Sequence, residues 1–428
     1  MMLEATIIRT IGELIHDTRC ALNITLTRLS KLSGIHKGTI SRIENGNVKR
    51  PEFQTVLPLA TVLHIPFETL IDYYVEVETR SDHLRSMYET ALTQGSSIEQ
   101  IRKVAAKYLE SNEDSLELTG KLFESIASIE DTSIQLPLYN LIIDYSRSHG
   151  IMPFIAKGMY QKYLIERNDF KRLKETYYSG KHVLHYIDFL PQEEQIELFY
   201  KLGVHAYNLR FYHESIELCK KVIKYDSESL HKANAIGILR DAYLDLGDYI
   251  QSEHYSIQYK QFSSYPHIRE NIVLMDAFFN TKQGNVEQAI ELLLEFLKTC
   301  SIDSAISATN QLLRLFLQQG NLKEAGVVLR DCKIDPSLIS KNNPFIYTRY
   351  ADFLKLQGDY YLAIGDYEKS VSCMMEGILY YSKVGDTNNV RNSQLMIKLV
   401  QENDKRIDIE VVKKIQEIFD QWMEDELR

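Results

Sequence analysis

A short turn recurs along most of the chain, and that recurrence limits what the chain can fold into. Gly247-Asp248-Tyr249, Gly284-Asn285-Val286, Gly320-Asn321-Leu322 and Gly365-Asp366-Tyr367 share one form, with Arg210-Phe211-Tyr212 and Asn168-Asp169-Phe170 as looser versions. Counted from residue 168, the spacings are 42, 37, 37, 36 and 45 residues. A small residue follows each turn from 210 onward in the same register: Ser215, Ser252, Ala289, Ala325 and Ser370. Four positions later stand Cys219, Ser256, Leu293, Leu329 and Met374, and nine positions before the small residue stand Ala206, Tyr243, Asn280, Phe316 and Tyr361. Polar turns at this period, set between apolar helical stretches, predict stacked helix pairs in which a small residue lets two helices approach closely. Composition agrees. With 19 Gly and 9 Pro in 428 residues, both fall below the roughly 7% and 5% of ordinary usage, which disfavours turn-dense β folds. The 44% of hydrophobic residues supply a sizeable core.

This register resembles a degenerate tetratricopeptide repeat, and Leu202-Gly203 and Gly358 fit the same motif. The longest interval contains Asp335-Pro336 and Asn342-Asn343-Pro344, read as an inserted loop, and helical pairs are expected back to about residue 85. Val411, Ile415, Ile418 and Trp422 form an apolar stripe on a charged helix expected to cap the open end of the solenoid. Stacked pairs leave a concave groove. Mapped onto the register, Tyr207, Asn208, Asn234, Asp241, Asn271, Asn310, Gln311 and Arg314 are expected to face it. Asparagine suits an extended peptide backbone because its amide both donates and accepts.

The N-terminus has a different character. The whole chain carries −10, yet Met1 to Tyr74 carries +1 and the remainder −11. Between Arg19 and Arg50 seven basic residues meet one acid, Glu44, giving a local +6. A small positive face on a negative body suits phosphate. Ile8, Ile11, Leu14 and Ile15 recur at helical spacing; Thr25 can cap a second helix with Leu26, Leu29 and Leu32 inside; Ser33-Gly34 breaks it. A third helix runs from His36 to Ile43 and stops at Asn45-Gly46, with Ile40 and Ile43 inward and Lys37, Thr39, Ser41 and Arg42 outward, as major-groove docking requires.

The run from Leu26 to Ile71 resembles the xenobiotic-response-element and phage-repressor class of helix-turn-helix domain. The matching positions are Leu29, Ser30, Gly34, Ile35, Ile40, Ile43, Glu44, Gly46, Pro51, Leu59, Ala60 and Leu63. Two positions depart from that pattern: Leu26 stands where Gln is usual, and Gly38 where a larger side chain is usual. The resemblance implies that Lys37, Thr39, Ser41 and Arg42 read bases while Asn45, Lys49 and Arg50 hold phosphate, which suits the chemistry of those side chains.

Such a head followed by tetratricopeptide-like repeats resembles the Rap/Rgg/NprR/PlcR/PrgX (RRNPP) group of peptide-pheromone-responsive regulators, closest in form to the NprR and PlcR type. The expected fold is all-α, with a right-handed superhelix after the helix-turn-helix domain. Its expected parts are residues 1–70 for DNA binding, 71–92 as helical connector, 93–400 for peptide binding and 401–428 as capping helix. The resemblance implies a double-stranded DNA operator, a short signalling peptide, and a homodimer or tetramer whose geometry the peptide alters. In some members the repeats instead bind or dephosphorylate a response regulator, and that partner stays open.

An enzyme is disfavoured, because the chain has no Gly-rich phosphate loop, GxSxG or HExxH. Five scattered cysteines without CxxC point to a reducing cytoplasm, and no metal or cofactor is expected. No apolar run approaches the roughly 18 residues of a membrane span.

Overall fold

The computed structural model describes residues 10–169, 172–225, 229–331, 334, 339 and 344–403. Among these the chain has 22 α-helices and no strand. An N-terminal helix-turn-helix domain precedes tetratricopeptide-like helical repeats. The chain divides into two compact units, one up to Ile165 with Tyr186–Leu190, the other Glu166–His185 with the residues from Pro191 on.

The first unit opens with α1 (Ile11–Ala21), α2 (Leu26–Ser33), α3 (Lys37–Glu44), α4 (Phe53–Val62) and α5 (Phe67–Val77). Thr10 starts α1 with a capping box, its N–H donating to Glu13 Oε2 at 2.8 Å while its hydroxyl accepts from the Glu13 N–H. Thr25 caps α2 as expected, accepting the Arg28 N–H at 3.2 Å, and Gly34 ends it at φ 74°. Ile11, Ile15, Leu29, Ile40, Ile43 and Leu59 form the core. Tyr74 packs edge-on to Phe53 and donates its hydroxyl to the Pro51 carbonyl at 2.9 Å. Leu32, expected inside, is 50% exposed, because this eight-residue helix buries only Leu29. Ile8 lies outside the described residues. Gly12 seats α1 on α3, since a Cβ there would lie 2.1 Å from the Ile43 carbonyl oxygen. The expected boundary at 70/71 falls within α5, and α6 (Ser81–Thr93) to α10 (Met152–Glu166) continue the helices.

At the entry to α6, Glu78 is a buried carboxylate, 1% exposed. It accepts the Thr79 and Arg80 N–H groups at 2.9 and 3.0 Å and pairs with the Arg80 guanidinium at 2.8 Å. Burial alone would raise its pKa, but these hydrogen bonds prevail and hold it at about 2.

The second unit begins at α11 (Leu173–Val183) and then repeats in pairs: α12 (Gln192–Asn208) with α13 (Tyr212–Tyr225), α14 (Leu230–Asp245) with α15 (Tyr249–Tyr259), α16 (Pro266–Lys282) with α17 (Val286–Phe296), α18 (Ile302–Gln318) with α19 (Leu322–Asp331), and α20 (Pro344–Ala363) with α21 (Tyr367–Lys383), before α22 (Thr387–Asn403). Each of the five turns from 210 onward joins the two helices of a pair. The five small residues, Ser215, Ser252, Ala289, Ala325 and Ser370, are all fully buried. Gly203 and Gly358 hold equivalent places in the first and last pairs, where a Cβ would lie 2.7 Å from Cys219 Sγ and 3.0 Å from Met374 Cγ. Leu329 is only half-buried, and Val328 beside it takes the interior position. Phe170, the insert residues Asp335, Pro336, Asn342 and Asn343, the stripe of Val411, Ile415, Ile418 and Trp422, and the capping segment from residue 404 on lie outside the described residues. No described helix is long and apolar enough to cross a membrane.

Candidate functional site

The helix-turn-helix face is built by α3. Ile40 and Ile43 are buried, so Lys37, Thr39 and Arg42 stand exposed on the opposite side and Ser41 at its margin. Asn45, Lys49 and Arg50 are exposed just beyond the helix; Asn45 Nδ2 donates to Ser41 Oγ at 3.3 Å, and Arg50 reaches Thr79 at 3.4 Å. Gly38 has a local cause: its N–H donates to His36 Nδ1 at 3.2 Å, and a Cβ would crowd that ring at the same distance. A side chain at 38 would press the imidazole aside by a few tenths of an ångström.

Arg19 does not belong to this face. Its guanidinium straddles the Glu44 carboxylate, with Nε to Oε1 at 2.6 Å and Nη2 to Oε2 at 2.7 Å, and its Nη1 donates to the Ile24 carbonyl. Hydrogen bonding to Glu44 raises the Arg19 pKa above its ordinary value. This bidentate pair ties the end of α1 to the end of α3, and both partners are largely buried. The open positive surface therefore comes from Arg28, Lys31, Lys37, Arg42, Lys49 and Arg50, all exposed.

In the second unit the eight expected groove residues do not form one row of open amides. Asn310, 7% exposed, donates to the Arg349 carbonyl at 2.8 Å, and Gln311 donates to the Leu274 carbonyl at 3.2 Å. Asn271 donates to the Tyr259 hydroxyl at 3.3 Å, and Asn234 Oδ1 lies 3.3 Å from His267 Nε2. These amides brace neighbouring helices. Asn208 is half-buried at the end of α12. Tyr207 stacks on Phe345 and donates its hydroxyl to Asp245 at 2.9 Å; burial drives its pKa well up. Asp241 pairs with the buried Arg240 at 2.8 Å.

Of the eight, only Arg314 lines an open cavity among the repeats, a space of about 630 Å³. Its other polar walls are Arg210, Asp245, Gln318, Asp352, Lys355, Asp359 and Asn389, and Leu317 and Leu356 are its apolar ones. Burial pushes the carboxyls of Asp245, Asp352 and Asp359 above the usual carboxylate range. Asp352 accepts a 2.5 Å hydrogen bond from the Tyr381 hydroxyl. The volume falls in the ordinary range for ligand sites.

The sequence register missed most of this lining. Arg210 stood in the repeat only as a loose turn. Its partner Asp386 sits in Gly385-Asp386-Thr387, a turn of the same form that the period passes over because it comes 20 residues after Gly365. Asp245, Asp352, Lys355 and Asp359 carry no periodic signal at all.

Residues 15–70 match the family described as helix-turn-helix (HTH_3). A curated relative, the uncharacterized HTH-type transcriptional regulator RghRB of Bacillus subtilis (strain 168), is 31% identical over 127 residues, 27% of this chain and 91% of that one. Among solved structures, PlcR of Bacillus thuringiensis in complex with the peptide PapR7 and DNA is 16% identical, covers 61% of this chain and 96% of that one, and has a TM-score of 0.22. A selenomethionine structure of phAimR is 15% identical, covers 95% and 100%, and has a TM-score of 0.41. The match over α1 to α5 and the curated relative together show that the chain belongs to the helix-turn-helix transcriptional regulators.

Proposed function

We propose that this regulator is of the RRNPP type, binding an operator through α3 and a short signalling peptide through its repeats. The observation that carries the DNA half is the split of α3 into a buried Ile40/Ile43 side and an exposed side bearing Lys37, Thr39 and Arg42. Arg42 and Lys37 suit guanine edges, Thr39 and Ser41 suit either base, and Asn45, Lys49 and Arg50 suit backbone phosphates. The peptide half is supported by a ligand-sized cavity lined by charged and amide side chains, within helix pairs of a type that binds peptides. The regulator acts as a homodimer, with peptide shifting its population between geometries that fit the operator's half-sites differently. A DNA operator and a re-imported peptide place the work in the cytoplasm.

Selection from a random duplex pool with the intact protein yields the operator, and fluorescence anisotropy then reads the variants. Arg42→Ala and Lys37→Ala are each expected to weaken the selected site about tenfold or more, at roughly 1–3 kcal/mol per good base contact. Unchanged affinity in both would sink the α3 assignment. Pull-down of a receiver domain by the repeats, with no peptide retained, would favour the response-regulator reading instead.

A further inference from the structure

At the turn after α12, the place that Gly247, Gly284, Gly320 and Gly365 fill in later pairs belongs to Arg210, a non-glycine residue at φ 59°. Left-handed backbone is costly for such a side chain, so its presence needs a compensating role. The guanidinium supplies one. Its Nε donates to Asp386 Oδ2 at 3.1 Å, its Nη2 makes a shorter contact with the same oxygen, and its Nη1 donates to the Tyr212 hydroxyl at 2.9 Å. Asp386 is buried and lies 176 residues further on. Its other oxygen accepts the Asn389 N–H at 3.1 Å at the start of α22. One ion pair thus joins the first described repeat pair to the last described helix.

Both ends of this clasp border the cavity, through Arg210 and Asn389. The lining carries both signs, Arg210, Arg314 and Lys355 beside Asp245, Asp352 and Asp359, with Arg210 already paired to Asp386. Among the described residues Arg314 and Lys355 form no ion pair; they act on the cavity's aspartates only through space, Arg314 and Lys355 on Asp352 and Lys355 on Asp359. An apolar occupant would strip water from these groups without replacing it, which is heavily unfavourable, whereas an occupant bearing both signs would offer a partner to each set.

We propose that this cavity selects a peptide segment carrying both a cation and an anion, and that Arg210 is a positioning residue whose clasp on Asp386 holds the cavity's walls together. This rests on the peptide reading above and narrows it: the selecting chemistry is paired charge in the cavity, and the bracing asparagines contribute shape.

The test uses the intact protein and two synthetic hexapeptide pools in equilibrium dialysis with mass-spectrometric readout. One pool has free termini and at least one Lys or Arg and one Asp or Glu. The other is acetylated, amidated and uncharged. The mixed-charge pool is expected to be retained about tenfold over the neutral one, and Lys355→Gln and Asp359→Asn each to bring that ratio close to one. Equal retention by the unaltered protein overturns the charge selection and leaves the peptide reading standing; no retention of either pool overturns both.

The clasp has its own ligand-free arm, hydrogen exchange over 387–403. Arg210→Gly suits the left-handed turn, and Asp386→Asn keeps a capping oxygen, so each removes the ion pair and spares the local backbone. Both are expected to speed exchange there about tenfold, the double variant no further, and 0.5 M NaCl to speed the unaltered protein but neither variant. Exchange unchanged in both single variants overturns the clasp.

Discussion

Glu78 shows how one side chain can make stability depend on pH. Its carboxyl has a folded pKa of about 2 against an ordinary 4.5, so its contribution is fully present above pH 4.5 and is lost as pH falls towards 2. That shift corresponds to at most about 3 to 4 kcal/mol. Glu78→Gln is expected to flatten the pH dependence of urea unfolding in this window and to lower stability at pH 7; a slope equal to that of the unaltered protein would refute the assignment. The cavity carboxyls have the opposite sign. Burial raises Asp245, Asp352 and Asp359, so they favour the folded state in acid and oppose it once pH rises through their folded values. A bound cation reverses that preference, which makes proton release a useful companion measurement to peptide binding.

Close crossings between elements follow one rule in both units: a side chain is absent where two helices touch. Gly12 lies against the Ile43 carbonyl of α3, a backbone atom that cannot swing away. Gly12→Ala is expected to cost about 2 kcal/mol or more, within the range for overpacked contacts, and to lower DNA affinity by moving α3. A thermal midpoint within a degree of the unaltered protein would disprove the crossing. Gly203→Ala meets the Cys219 sulfur instead, a softer neighbour able to rotate, so the penalty there is smaller. The repeat pairs were legible because Ser215, Ser252, Ala289, Ala325 and Ser370 each had to be small at a fixed interval, and periodic constraint shows in a single sequence. The outward face of α3 was legible for a similar reason, since Ile40 and Ile43 mark the side that packs. The cavity was not. Arg210 and Asp386 meet across 176 residues, and a contact between the two ends of a repeat array has no period to reveal it. The asparagines could not be sorted from sequence, because an amide that braces a neighbouring helix has the same identity and register as one that faces a ligand.

For the whole molecule, electrostatics decides how the chain meets DNA. Its −10 divides into +1 for the first 74 residues and −11 for the rest, and with Arg19 bound to Glu44 the open positive face is smaller than the raw count. One head alone binds weakly, and two linked heads multiply their effect. In the proposed homodimer, with Lys49 and Arg50 as the proposed phosphate contacts of each head, the four cations give an expected slope of log K against log salt of about −4. Lys49→Ala is expected to reduce it by about two, and a slope indifferent to that change would mean that Lys49 touches no phosphate. The chain also holds a chemical clock. Cys20 is exposed on α1, while Cys219 is fully buried under Gly203, its thiol pushed up to about 12. A maleimide at neutral pH therefore reaches Cys20 in the native protein but Cys219 only when α12 and α13 part. Mapped by peptide mass so that Cys300 and Cys373, both partly exposed, are read separately, the delay between the Cys20 and Cys219 labels times the opening of a single repeat pair inside the intact regulator.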